Sequence, residues 1–200
     1  MPTNQKDRRK RLLEVAGPQS GLFTAKQALD AGYSYSNQSY HADHGNWIRV
    51  DHGLYRLPPT EWPTGRHEDL VRWVLWSGDR AVVSHETAMS VLDLGDADPA
   101  RVHLTVPPGF RKTARGVVLH RGSVPKGDIQ LREGVRVTTP PRSILDVAAG
   151  DLDQDQFARA VKEALDRGLV TRRQLLGRAD TFGAHAALRI ERALLAEASA

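Results

Sequence analysis

Apolar positions in the first sixty residues fall into short helical stripes separated by glycine. Leu12, Leu13 and Ala16 recur at i, i+1 and i+4, with Lys and Arg on the other side, which predicts a first helix over 7–16. Gly17-Pro18 stops it. Thr24 is an N-cap residue type, and Ala25, Ala28 and Leu29 give one face to a second helix over 25–31, ended by Gly32. Ser34 or Ser36 caps a third helix reaching about His44, with Gly45 behind it. Residues 47–57 read as two short strands around a turn near Asp51-His52-Gly53, and Pro58-Pro59 closes the unit. Three small helices followed by a hairpin describe a winged helix-turn-helix, whose third helix suits the major groove and whose wing suits the neighbouring backbone.

The pattern then changes. Leu70, Val71, Val74 and Leu75 make an apolar stripe in a helix over 65–77. Residues 81–83 are a short apolar run, and Ser84 begins a helix to Leu92. After a loop at 95–99, the alternation of Val102, Leu104 and Val106 with His103 and Thr105 predicts a half-buried strand. Further strands are predicted over 116–120 and 134–138. Helices are predicted from Thr139-Pro140 through Ala149, over 151–167, from Thr171 to Arg178, and over 184–196. The predicted class is α+β: an N-terminal winged helix-turn-helix at 1–60, then a small sheet covered by helices at 61–200.

Composition narrows the chemistry more than the fold. The chain has 200 residues and no cysteine, so disulfides, thiolate catalysis, iron–sulfur clusters and Cys-based zinc sites are excluded. No apolar run reaches membrane-spanning length, and the polar, basic N-terminus does not read as a secretory signal, so a cytoplasmic location is expected. The net charge is +4. Residues 1–60 hold eight Lys and Arg against five Asp and Glu, leaving an excess of only one positive charge for the rest. Nucleic-acid contact is therefore expected in the first sixty residues.

The residues that carry a family resemblance lie along both halves. Gly21-Leu22-Phe23-Thr24-Ala25-Lys26-Gln27-Ala28, Ala31-Gly32-Tyr33-Ser34 and Gly53-Leu54-Tyr55-Arg56-Leu57-Pro58 resemble the N-terminal domain of AbiEi-type antitoxins. Val83-Ser84-His85-Glu86-Thr87-Ala88, Val102-His103-Leu104-Thr105-Val106-Pro107 and the stretch from Gly134 to Ala148 follow in the order of that family's C-terminal region. The resemblance spans roughly residues 5–150. It implies a winged-helix repressor of a type IV toxin–antitoxin operon, bound to inverted repeats in its own promoter. Its functional partner would be a nucleotidyltransferase toxin, without a stable complex between them. The sequence departs from the resemblance in the third helix, which has no Lys or Arg.

Base readout is accordingly expected from Ser36, Asn37, Gln38, Tyr40 and His41, since Asn and Gln suit bidentate adenine contacts. Phosphate and wing contacts are expected from Lys10, Arg11, Lys26, Arg49, His52 and Arg56. Trp47 and Tyr55 are expected to pack the wing onto the helices. His41 and His44, three apart, lack an evident third ligand, so no metal is expected, and no cofactor. No P-loop, nucleotide-binding glycine motif or nucleophile elbow occurs, and no enzyme is expected. The alternative is a C-terminal domain that neutralises the toxin enzymatically, through His85, His103 and Asp146, or by binding it directly. Asp146 also stands four residues after Arg142, at the spacing of a plain helical ion pair. Arg167, Arg172, Arg173 and Arg178 form a second basic candidate among acidic neighbours.

Overall fold

The computed structural model describes residues 4–62, 65–132 and 134–198. The chain divides into two compact units: Met1–Arg80 with Glu133–Val135, and Ala81–Arg132 with Arg136–Ala200.

In the N-terminal unit, α1 (Gln5–Ala16) starts at Asn4, whose side chain accepts from the Lys6 amide. Helix α2 (Ala25–Asp30) opens with a capping box: Thr24 accepts from the Gln27 amide, and the Gln27 side chain accepts from the Thr24 amide. Helix α3 (Tyr35–Asp43) is capped by Ser34 rather than Ser36. Strands β2 (Ile48–Asp51) and β3 (Leu54–Arg56) form the wing. Its turn uses Gly53 at φ 67°, a conformation that costs glycine little. The Gly53 carbonyl accepts from the Ala25 amide at 2.8 Å, tying the wing turn to the start of α2.

One element was not anticipated. Leu22–Thr24 is a strand, β1, antiparallel to β3, so the wing is a three-stranded sheet in the order β1-β3-β2. Three residues are too few for a period-2 pattern to register. Helix α4 (Glu68–Trp76), read from sequence as part of the second domain, packs against β1 in this first unit. Phe23, Tyr33, Trp47 and Tyr55 meet Leu12, Ala16 and Ala28 in its core, with Trp47 edge-on to Phe23 at 4.8 Å. Trp47 and Tyr55 thus pack the wing as expected.

The second unit holds β4 (Val82–Val83), α5 (His85–Val91), β5 (Val102–Val106), β6 (Val117–Arg121), β7 (Ile129–Arg132) and, from Arg136 onward, β8 (Val135–Thr138). The sheet order is β6-β5-β4-β8-β7. Strand β4 is antiparallel to β5 and parallel to β8, and β5 is parallel to β6. Strand β7 was not predicted. Helices α6 (Pro140–Ala148), α7 (Gln154–Asp166), α8 (Arg172–Ala179) and α9 (Ala184–Ala198) build the core around Ile144, Leu145, Phe157, Val161, Leu175 and Ile190. The class is the α+β arrangement that the sequence predicted. Neither Ser84 nor Thr139 caps its helix with a side chain.

Candidate nucleic-acid interface

Helix α3 has a structural face and an open face. Asn37, Gln38, His41 and Ala42 turn inward or are half-buried, whereas Tyr35, Ser36, Ser39, Tyr40 and Asp43 are exposed. Tyr40 is 54% exposed and stacks on His44 at 4.0 Å. Ser36 lies open beside it. Tyr35, at 67% exposure, and Ser39 were missed as candidates. Helical spacing gave no cue for Tyr35, which stands three positions before the buried Gln38 and is exposed nonetheless.

Gln38 is a correction. It is 1% exposed, and its Nε2 donates to the Ala25 carbonyl at 3.0 Å and the Tyr33 carbonyl at 3.1 Å. A side chain spent on bridging α2 to α3 cannot reach a base edge. Asn37 is half-buried, and its side-chain oxygen accepts from Ser34 Oγ at 2.9 Å. His41 stacks on Trp47 at 4.8 Å. Burial first, then Arg8 and Arg9, holds its pKa below the ordinary value, so the ring is neutral near pH 7.

The cations divide in the same way. Lys10, Arg11 and Arg49 are exposed, and the Arg49 guanidinium lies 5.9 Å from the Tyr55 ring centroid. Lys26 is exposed and pairs with Asp30 at 3.1 Å; such exposed pairs hold their partners weakly. His52 is exposed at the wing turn. Arg56 is the second correction. It is 5% exposed, its Nε lies 2.9 Å from Glu68 Oε1, and its terminal nitrogens donate to the Leu57 and Trp62 carbonyls. A phosphate has no access to it.

The polar residues of the second unit sort into two groups. His85, Glu86, His103 and His120 come together, but Asp146 does not join them. Asp146 accepts from Arg142 Nε at 2.8 Å, the i, i+4 pair foreseen, within a network where Arg178 donates to both oxygens of Asp128. Burial, partly offset by Arg142, pushes Asp146 up to about 6. The second basic candidate is largely engaged: Arg178 with Asp128, Arg167 with the Leu92 and Asp93 carbonyls, and Arg172 with the Leu194 carbonyl.

Among the histidines, His103 Nε2 lies 2.9 Å from Glu86 Oε2, and His103 Nδ1 lies 3.2 Å from His120 Nε2. One tautomer arrangement satisfies these contacts. His103 Nε2–H donates to Glu86, and His120 Nε2–H donates to His103 Nδ1. The His85 ring stacks on His120 at 3.4 Å, with its Nδ1 2.9 Å from Ser84 Oγ. That contact, with a donation from Thr105 Oγ1, occupies the Ser84 hydroxyl and explains why it does not cap α5. Among the described residues, no three His, Asp or Glu side chains are arranged to hold a metal ion.

Burial, with the neighbouring imidazoles, drives His85 down to about 2 and His120 to about 4. Both start from 6.5 in an unfolded chain, so below pH 6.5 the unfolded state binds more protons than the folded one. Stability is complete above pH 6.5 and falls as pH drops toward 4. Asp146, with its raised pKa, opposes this trend from about pH 6 downward. Thermal melts at pH 7.5, 6.0 and 5.0 should show a declining midpoint, and His120→Gln should flatten the decline. A midpoint that stays level or rises on acidification would contradict the neutral stacked pair.

Three antiparallel strands packed on helices, with an open third helix, give the first unit a winged helix-turn-helix-like fold. Residues 10–58 match the family described as "Transcriptional regulator, AbiEi antitoxin", the family that the sequence resembles. The crystal structure of the RV2827C protein from Mycobacterium tuberculosis is similar in fold, with a TM-score of 0.59 at 15% identity, over 95% of this chain and 77% of that one. No curated protein sequence matches the chain. Among the described residues no helix is long and apolar enough to cross a membrane.

Proposed function

We propose that the protein is an antitoxin and a DNA-binding autorepressor of the operon encoding it with a nucleotidyltransferase toxin. It acts in the cytoplasm, on inverted repeats in its own promoter. The observation that carries this reading is the open face of α3, together with exposed cations on α1 and β2, within the segment that matches the AbiEi regulators. Ser36, Ser39 and Tyr40, with Tyr35, meet base edges; Ser suits either donors or acceptors, and Tyr presents a ring to thymine methyls. Lys10, Arg11, Lys26, Arg49 and His52 hold the backbone. Asn37 and His41 set the pitch of the helix from behind.

Neutralising about four to eight phosphates per bound pair gives a salt slope of about −4 to −7. Binding to the protein's own upstream duplex and to a scrambled one, followed by fluorescence anisotropy at several salt concentrations, tests this. Lys10→Ala with Arg49→Ala should weaken both duplexes and flatten the slope by about two per bound copy. Ser36→Ala with Tyr40→Ala should instead erase the preference for the upstream duplex. Unchanged affinity and slope in the first variant would sink the reading.

A second reading has one observation in its favour, the Glu86–His103–His120 chain, along which a proton can pass from His120 toward Glu86. Under it, the C-terminal unit neutralises the toxin chemically. His103→Gln that keeps the fold and DNA binding but loses neutralisation would favour it.

A further inference from the structure

The excess of positive charge is not confined to the winged helix. Residues 99–127 contain Arg101, Arg111, Lys112, Arg115, Arg121 and Lys126 and no acidic residue. All six are exposed. This one stretch carries more positive charge than the whole protein's net +4, so the rest of the chain is net negative. Summed over the whole C-terminal domain, the acids elsewhere conceal it.

The fold gathers four of these charges along one sheet edge. Strand β6 is the edge strand and runs parallel to β5, with Val102 opposite Val117 and Val106 opposite Arg121. A parallel neighbour requires the connection to travel back the length of the strands. Residues 107–116 make that return. Phe110, 2% exposed, anchors the loop, and the Gly116 carbonyl accepts from the Val102 amide at 2.9 Å. Arg121 therefore stands at one end of the edge, Arg111 along the returning loop, and Arg115 with Arg101 at the other end. Five residues of strand cover about 13–17 Å. Duplex DNA presents one phosphate per about 1.7 Å of axis, so a stripe of this length faces several. Among the described residues, Arg101, Arg111, Arg115 and Arg121 form no ion pair that would have to be broken first.

We propose that the β5–β6 loop and its flanking strand ends form a second duplex-DNA contact, which grips phosphates without reading sequence. The proposal rests on the DNA-binding reading above for its partner, but uses none of the same residues. Chemistry favours a nucleic acid over a protein partner. Protein interfaces centre on buried aromatic or aliphatic anchors. The large apolar side chain of this loop, Phe110, is already buried in the protein's own fold, and what remains outside is spaced guanidinium and ammonium groups, as phosphate contacts require.

The test uses the full chain with Arg111→Gln, Arg115→Gln and Arg121→Gln together, checked by its melting curve. Binding is measured against the upstream duplex, a scrambled duplex of equal length and a duplex RNA, across a salt series. The triple variant should bind both DNA duplexes about tenfold more weakly or worse near 0.1 M salt, flatten the slope by about two to three, and leave the preference between them unchanged. Wild-type affinity and slope for both DNA duplexes, in a folded variant, would overturn the proposal, as would a loss confined to RNA. If the wild type does not prefer the upstream duplex, the operator reading fails on its own. The triple variant then still tests this surface through sequence-blind DNA binding.

Discussion

Arg56→Ala is expected to melt the N-terminal unit more than 10 °C below the wild type, whereas Arg49→Ala leaves the melting curve almost in place. The two arginines sit seven positions apart and differ in every contact. Arg49 is exposed on β2 and lies near the Tyr55 ring. Arg56 is buried, pairs with a Glu68 carboxylate that is only 21% exposed, and satisfies the Leu57 and Trp62 carbonyls. Removing one partner of a buried pair leaves the other charge desolvated and unmatched, at a cost of about 3–5 kcal/mol. In a unit of this size each kcal/mol shifts the midpoint by about 4–8 °C. An exposed arginine stays within about 0.5 kcal/mol. Arg56→Ala will thus also lose DNA binding, but through unfolding. Arg56→Met with Glu68→Gln, which removes both charges, should recover much of the midpoint. A melting curve for Arg56→Ala that overlays the wild type would show that this pair does not hold α4 to the wing.

The second large effect is expected at Arg189, in the C-terminal unit. Its side chain is 6% exposed and reaches from α9 to the turn between α6 and α7. There it donates to the Val147, Gly150 and Leu152 carbonyls and to Gln154 Oε1, with the guanidinium 4.8 Å from the Phe157 ring centroid. Burial lowers its pKa, against the pull of Asp151 and Asp153, yet an arginine stays charged. Arg189→Met keeps the apolar stem and strips several acceptors of their donor. A buried polar group left unmatched costs about 1–3 kcal/mol, so a total of about 3–5 kcal/mol is expected. Urea denaturation checks this: the midpoint should fall sharply. Little change would mean that water takes over the guanidinium's role.

The elements of the fold were legible wherever a local signal fixed them. The Thr24 and Thr171 N-caps, the Gly32 stop and the Leu70 to Leu75 stripe lie where the sequence pattern located them. Strands β1 and β7 were not legible: a strand of three or four residues is defined by its partner across the sheet, not by its own period. The site divides along the same line. Residue type marked Ser36, Tyr40, Lys10, Arg11 and Arg49 as candidates, and all of them are exposed. It marked Gln38 and Arg56 equally well, because an amide or a guanidinium looks the same in a sequence whether it faces a groove or a neighbouring carbonyl.

By itself, then, the sequence determined the order of the helices, the wing, the α+β class and the absence of thiol chemistry. It also held the run of unopposed cations at 99–127. Only the tertiary structure decided which polar side chains were spent on holding the fold. It turned Gln38 toward the Ala25 and Tyr33 carbonyls, closed Arg56 against Glu68, separated Asp146 from His85 and His103, and folded the 107–116 loop back along an edge strand. Helix caps and stripes are set by neighbours within about four positions, so they are written locally. A buried hydrogen bond or ion pair depends on a group from a distant part of the chain, and only the folded packing brings that group within reach.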